Sequence, residues 1–443
     1  MIYKICKECE KENNKNRWCK ECNTKHFQQN FKNWTSGNND IDKFIQDTQL
    51  SATNYEKVLE WIPYNKLYDI EYIAKGGFGK VYKAKWIDGY IRSWDINENW
   101  KRDCSNWLVA LKSLNNSENV TSEFINEIKM HCMAREYQTV SVIRVYGITQ
   151  DPETKNYMMV LPYAEDGSLR AYLDKNYHEL SWETKIGYLH HITSGLKSIH
   201  NNGLTHRDLH IGNILSFGFV SQVMITDMGL CKPADYNASE NPKNSIYGVL
   251  PYIAPEVLRG QNYTKAADIY SFGIIMYEVI SGLPPYHDVS HDKNLTIKIC
   301  QGLRPRFSNI KVPQLIVNLV KRCLDANPIN RPEAVEIYNI SWQWFIESRD
   351  FKFNNNKTEL LKQIEESEKI NNSSIPTSSI PLTSLSYETH SEAVYTSRLL
   401  NFNNLPEPKN SDDYYNEQND NIISEKFSES LQIDISQLKI NES

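Results

Sequence analysis

The apolar positions fall into two regimes along the chain. From Leu67 to Pro162 they come in short runs of strand length bounded by turn residues: Leu67–Ala74 and Val81–Trp86 flank a glycine turn and predict a hairpin, and Leu108–Ser113, Val142–Gly147 and Tyr157–Pro162 predict further strands. Thr121 or Ser122 can cap a helix expected to run to about Ala134. From Ser168 onward the helical period takes over, in Trp182–His200, Ala266–Ile280, Pro313–Leu324 and Arg331–Phe345. Strands first and helices afterwards predict an α+β fold of two lobes, a small β-rich one and a larger helical one. A helix over Asp40–Leu50 lies in the expected linker, 36–64, and a tract rich in Trp, Asn and Asp, Ile87–Trp107, reads as an insertion of no legible function. Beyond about Phe351 the chain is rich in Asn, Ser, Glu and Lys without a sustained apolar period, so residues 348–443 are expected to be a disordered tail.

Length and charge narrow the classes. A chain of 443 residues is too long for one ordinary core. A formal charge of -6 argues against nucleic acid as the main partner. The start, Met1-Ile-Tyr-Lys, has no secretory apolar stretch, and no run approaches the ~18 apolar residues needed to span a bilayer, so a soluble, cytoplasmic protein is expected. Nine cysteines in such a compartment are expected as thiols or metal ligands. Four of them, Cys6-x-x-Cys9 and Cys19-x-x-Cys22, form two knuckles that could close a tetrahedral zinc shell in a small module, 1–35. Such a zinc would have no open position and would fold the module rather than catalyse; His26 reads as a solvated surface residue more readily than as a substitute ligand.

Between the first two predicted strands stands Ala74-Lys-Gly76-Gly77-Phe-Gly79-Lys-Val81, where backbone freed of side chains can close over phosphates or can simply turn a hairpin. The motifs downstream of it, and their order, are more telling. Val109-Ala110-Leu111-Lys112 lies on a strand and Glu127 on the next helix; then come His206-Arg207-Asp208-Leu-His210-Ile-Gly-Asn213, Asp227-Met228-Gly229 and Ala254-Pro255-Glu256. This ordered set resembles the eukaryotic protein kinase family, over about 280 residues placed here at 65–347, and most resembles its tyrosine-kinase-like serine/threonine branch.

The resemblance implies a protein kinase that moves the γ-phosphate of Mg-ATP to protein hydroxyls, serine or threonine before tyrosine, in intracellular signalling. Lys112 would hold the α- and β-phosphates with Glu127 fixing it, Asp227 and Asn213 would hold Mg²⁺, and Asp208 would accept the substrate's proton. Ala74, Gly76, Gly77, Gly79, Val81 and Ala110 would line the ATP site, with Leu161 as gatekeeper and main-chain groups of Pro162 and Ala164 holding the adenine. Protein substrates are the implied partners, with further proteins reaching the zinc module or the tail. Glu256, Arg331 and Asp268 look like architecture. Departures are Ala74 for the first glycine, Met228 for the usual phenylalanine, Val249 for a common threonine, and His210 where many relatives carry a lysine against the γ-phosphate. A neutral His210 removes one positive charge from the transition state. A scaffold that binds nucleotide without transferring phosphate is the alternative. Arg207 resembles the arginine that pairs with an activation-segment phosphate, for which Ser245 has the best spacing among Tyr236, Ser239, Ser245 and Tyr247.

Overall fold

The computed structural model describes residues 5–11, 13, 18–75, 79–95, 99–114, 122–135, 141–218, 222–234, 246–308, 310–350, 358–373 and 387–410. In chain order the helices are α1 (Lys20–Asn30), α2 (Asn39–Ser51), α3 (Ser122–Ala134), α4 (Leu169–Asn176), α5 (Trp182–Asn201), α6 (Pro255–Leu258), α7 (Lys265–Ser281), α8 (Lys293–Cys300), α9 (Gln314–Cys323), α10 (Ala334–Asp350) and α11 (Glu359–Ser373). The strands are β1 (Glu60–Trp61), β2 (Leu67–Lys75), β3 (Gly79–Trp86), β4 (Tyr90–Asp95), β5 (Asn99–Asp103), β6 (Trp107–Leu114), β7 (Gly147–Gln150), β8 (Tyr157–Pro162), β9 (Leu204–Thr205), β10 (Ile214–Phe217), β11 (Gln222–Ile225), β12 (Lys232–Pro233), β13 (Ile246–Gly248) and β14 (Arg398–Leu400).

The small lobe is one sheet in the order β1-β7-β8-β6-β3-β2. One face buries Trp86, Val109, Leu111 and Val160, and the other packs Ile148, Met159 and Leu161 under α3 through Phe124 and Ile128. Val142–Gly147, expected as a strand, enters the sheet only at Gly147. Before that, Val142, Ile143, Val145 and Tyr146 are buried, with an isolated bridge from Val142 to Ile225 and main-chain bonds from Tyr146 to Val160 and Glu60. An apolar run buried on all sides carries no period by which strand and irregular core chain can be told apart.

The expected linker is part of this lobe. Asn38 caps α2 by accepting from the amides of Asp40 and Ile41, and the four-residue spacing of Ile41, Ile45 and Gln49 turns one buried face inward. Ile41 and Ile45 share a cluster with Phe124 and Ile128 of α3, and β1 adds a parallel strand to the sheet edge. The insertion is a hairpin, β4 against β5, which grips the N-terminal module: Trp100 stacks on Phe27 at 4.3 Å and His26 on Trp94 at 3.6 Å. His26 therefore is covered by a ring rather than solvated, and its Nε2 lies 2.9 Å from Glu8.

In the large lobe α5 and α7 are buried along nearly their whole length and form the centre, with α9 and α10 against them. The tail departs from the expectation of disorder in two pieces. α11 buries Leu360 and Ile364 against the lobe, and residues 387–410 run across it, with β14 pairing antiparallel to β13 and Leu400 in the main core. A few apolar side chains in a polar stretch suffice because the lobe supplies the rest of the apolar surface, which no local period reveals. Among the described residues no helix is long and apolar enough to cross a membrane.

Because Ile45 is fully buried between α2 and α3, Ile45→Ala is expected to cost about 2–5 kcal/mol of stability, read as a lower urea midpoint by circular dichroism. Lys43→Ala, exposed on the same helix, is expected to change it by less than about 0.5 kcal/mol.

Candidate active site between the lobes

Three polar side chains meet where β6, α3 and the chain after β11 converge. Lys112 sits on β6 between Val81 of β3 and Met159 of β8, so its backbone is held on both sides. Its Nζ donates to Glu127 Oε1 at 2.7 Å and lies 3.1 Å from Asp227 Oδ1. Burial works to lower the lysine pKa, but the two carboxylates outweigh it and hold the ammonium above its ordinary value. Burial pushes the Glu127 carboxyl up against the opposing pull of Lys112, whereas at Asp227 the lysine overcomes burial and the carboxyl is held down. The lysine is the link between the sheet, the helix and the loop.

Asp227 has a left-handed backbone, φ 61°, and Gly229 lets the Asp227 carboxylate and that of Glu127 approach: a Cβ at residue 229 would come within 3.3 Å of Asp227 Oδ1 and 3.5 Å of Glu127 Oε2. The hairpin β10–β11 sets Asn213 and Asp227 at its open end, where the Thr226 amide donates to the Asn213 carbonyl at 2.9 Å. Asn213 Nδ2 donates to the carbonyl of Asp208, also at 2.9 Å. His206 completes this frame, its Nε2–H donating to the Thr226 carbonyl at 3.0 Å while Nδ1 accepts from the Asp208 amide at 3.3 Å.

The loop itself is strained, with Arg207 at φ 72°, and one carboxylate holds it. Asp268, fully buried on α7, accepts from the amides of His206 and Arg207 at 2.8 and 3.0 Å and faces His200 Nε2 at 2.9 Å. His200 was not singled out from the sequence, where it is one more residue at the end of a helical period. Glu256 and Arg331 form a bidentate buried pair at 2.7 and 2.8 Å below the loop. Asp208 is buried at the cleft, its Oδ2 accepting from the Ser397 hydroxyl at 2.7 Å, with Gly248 beside it at φ 148°, where a Cβ would lie 3.3 Å from Asp208 Oδ1. His210 Nε2 is 3.9 Å from the Asp208 carboxylate, and burial lowers the imidazole pKa despite that neighbour. Val249 and Met228 are both buried.

At the back of the cleft Ala110 pairs with Leu161 and Val109 with Pro162, and the Ala164 carbonyl accepts from the Gly167 amide at 3.1 Å. Ala74 pairs with Val81, and Gly79 opens β3. Gly76, Gly77 and Ser245 lie outside the described residues. The Arg207 guanidinium stands 5.7 Å over the ring of Tyr263. The four knuckle cysteines meet far along the chain from this cleft: their sulfurs all lie within 4.8 Å of one another, with Cys9 and Cys19 at 3.6 Å and Cys6 and Cys22 at 3.9 Å.

Residues 68–340 match the family described as protein tyrosine and serine/threonine kinase. The chain belongs to the protein kinase family. Its kinase domain is 30% identical over 297 residues to a "Probable serine/threonine-protein kinase" of Dictyostelium discoideum, covering 63% of this chain and 15% of that one. It is 29% identical over 280 residues to receptor-interacting serine/threonine-protein kinase 4 of Mus musculus, 60% of this chain and 32% of that one. An Aurora kinase of Schizosaccharomyces pombe is 26% identical over 275 residues, 61% of this chain and 69% of that one. The chain thus spans well under two thirds of the length of the Dictyostelium and mouse relatives.

One titration is visible from the packing of α3. His131, one helical turn beyond Glu127, is buried and its pKa falls from 6.5 to about 3, first through burial and then through Lys112. Below pH 6.5 the unfolded chain takes a proton there that the folded chain does not, so stability falls as pH drops from that value towards 3. This group accounts for about 2 kcal/mol of loss between pH 7 and pH 5. In His131→Gln the urea-midpoint difference between those two pH values is expected to narrow accordingly.

Proposed function

We propose that this kinase domain transfers the γ-phosphate of Mg-ATP to serine or threonine hydroxyls of proteins, in cytoplasmic signalling. The observation that carries the reading is the Lys112 ammonium held between Glu127 and Asp227 in the cleft that Asp208 faces. In this reading Lys112 grips the α- and β-phosphates, and Glu127 keeps it from collapsing onto other acceptors. The adenine lies against Val81, Ala110 and Leu161 and bonds the main chain at Pro162 and Ala164, and Ala74, Gly76, Gly77 and Gly79 are the residues assigned to the ATP phosphates. Asp227 and Asn213 offer a carboxylate and an amide oxygen from two loops tied by the Thr226 amide, a hard-oxygen set that suits Mg²⁺. Bound there, the metal would neutralise charge between the β- and γ-phosphates. Asp208 takes the acceptor's proton, and the Asn213 amide bonded to its carbonyl fixes its position.

The knuckle cysteines fit a structural zinc. Tetrahedral Zn–S bonds of about 2.3 Å place sulfurs about 3.8 Å apart, a value that the Cys9–Cys19 and Cys6–Cys22 spacings bracket. The second knuckle is braced because Cys19 caps α1, its carbonyl accepting from the Asn23 amide at 3.0 Å. Serine/threonine preference draws support from the names of the relatives, and phosphate on Ser245 is the modification that would charge-pair with Arg207.

Asp208→Asn is expected to abolish phosphate transfer to a generic acceptor such as casein, with ATP affinity retained; transfer at the wild-type rate would overturn the assignment. Since His210 is held neutral by burial, His210→Lys is expected to raise kcat at pH 7 by about tenfold through one added cation near the γ-phosphate, read in the same assay. Elemental analysis is expected to find about one zinc per chain, lost in Cys9→Ser.

A further inference from the structure

The groove in front of Asp208 is filled by the chain's own tail. Residues 387–410 enter over α4, where the Tyr387 hydroxyl donates to Asp174 Oδ1 at 2.9 Å. They are then gripped by main-chain bonds: the His390 amide donates to the His287 carbonyl at 2.8 Å and the His291 amide to the Glu392 carbonyl at 3.2 Å. The Tyr395 hydroxyl bonds the Pro285 carbonyl at 2.9 Å, with its ring edge-on to His291. Three residues on, β14 pairs with β13, Arg398 opposite Gly248 and Leu400 opposite Ile246, and Leu400 is buried in the large-lobe core. Between these two anchors the Ser397 hydroxyl donates to Asp208 Oδ2 at 2.7 Å, with His210 Nε2 at 3.4 Å. Thr396, the neighbouring residue, carries the other hydroxyl of this stretch.

A strand added to a segment edge is a recognised way to hold an extended peptide, with main-chain bonds fixing register and alternate side chains entering pockets. Here register delivers one hydroxyl to the carboxylate that the proposed reaction needs as a proton acceptor. We propose that Ser397 is an intramolecular phosphoryl acceptor of this kinase, a conclusion that rests on the reading of the cleft as a phosphotransfer site. With Mg-ATP bound, Ser397 Oγ attacks the γ-phosphorus. The Oγ–P bond forms, the bond from that phosphorus to the β–γ bridging oxygen breaks, ADP leaves, and the hydroxyl proton passes to Asp208. The product carries about -1.5 to -2 charge within reach of the Asp208 carboxylate, so like-charge repulsion expels the segment. Until then the tail excludes other acceptors. The same register defines the proteins the groove takes: a serine with tyrosine two residues before it and an apolar residue three after it, as in Tyr395, Ser397 and Leu400.

The test uses the full chain, dephosphorylated and incubated with Mg-ATP, with and without casein. Phosphate is expected on Ser397 by mass spectrometry, at a first-order rate that does not change with enzyme concentration, and casein transfer is expected to begin with a lag that follows it. Leu400→Asp is expected to slow Ser397 modification on the order of tenfold to a hundredfold, the docking contribution of one buried leucine, and to remove the lag. Arg398→Ala, which loses the 2.7 Å bond to the His291 carbonyl, is expected to act in the same direction. Ser397→Ala is expected to keep casein transfer at its slow initial level. Phosphate on casein with none on Ser397, or a Ser397 rate proportional to enzyme concentration, would overturn this inference and leave the kinase reading standing. No phosphate on either acceptor would overturn both.

Discussion

Everything in the cleft hangs on one ammonium group. Lys112 bridges a carboxylate on α3 and a carboxylate on the loop after β11, so the sheet, the helix and the large lobe share a single charge-assisted contact. In a buried setting such a contact adds little net stability, because desolvation of three charges offsets their attraction. What it does is select an arrangement: if α3 swings out, Glu127 leaves, and Lys112 is left to Asp227 alone. Removing any one member leaves the others buried and unbalanced.

The position of α3 is therefore what the remainder of the small lobe has to secure, and the N-terminal residues do so by a chain of packing. The cysteine module holds α1, Trp18 Nε1 bonds the Ala52 carbonyl at the end of α2, and α2 buries Ile41 and Ile45 against Phe124 and Ile128 of α3. The β4–β5 hairpin clamps the module from the other side through Trp94 and Trp100, and Arg102 and Glu60 pair across to the sheet edge. In the large lobe the corresponding constraint is Asp268, whose buried carboxylate holds two amides of a loop that is strained at Arg207.

The kinase motifs were legible because phosphate chemistry demands particular residue types in a fixed order, and the sheet and helices between them keep their periods. Lys112 on a strand and Glu127 on a helix could be named from the sequence, as could the succession of strands and then helices that makes two lobes. His200 could not, since a histidine closing a helix looks the same whether it faces water or a buried carboxylate. Nor could the strand that begins late at Gly147, where an apolar run is buried on every side. The roles of Ile87–Trp107 and of the tail were out of reach for a different reason: their apolar residues are too few to form a core of their own, and become structural only against a surface built elsewhere in the chain.

What the sequence determined by itself is local and chemical: the periods of strand and helix, the spacing of the two knuckles, and the inventory of lysine, carboxylates and asparagine in kinase order. What only the tertiary structure decided is which distant groups share a site. The 2.7 Å contact of Ser397 with Asp208 spans 189 residues, and its register comes from strand pairing at Gly248 and from burial of Leu400, both set by a groove that exists only once the lobe has folded. Pairing of that kind depends on backbone amides and carbonyls, which nearly every residue carries, so side-chain identity along the chain leaves no mark of it.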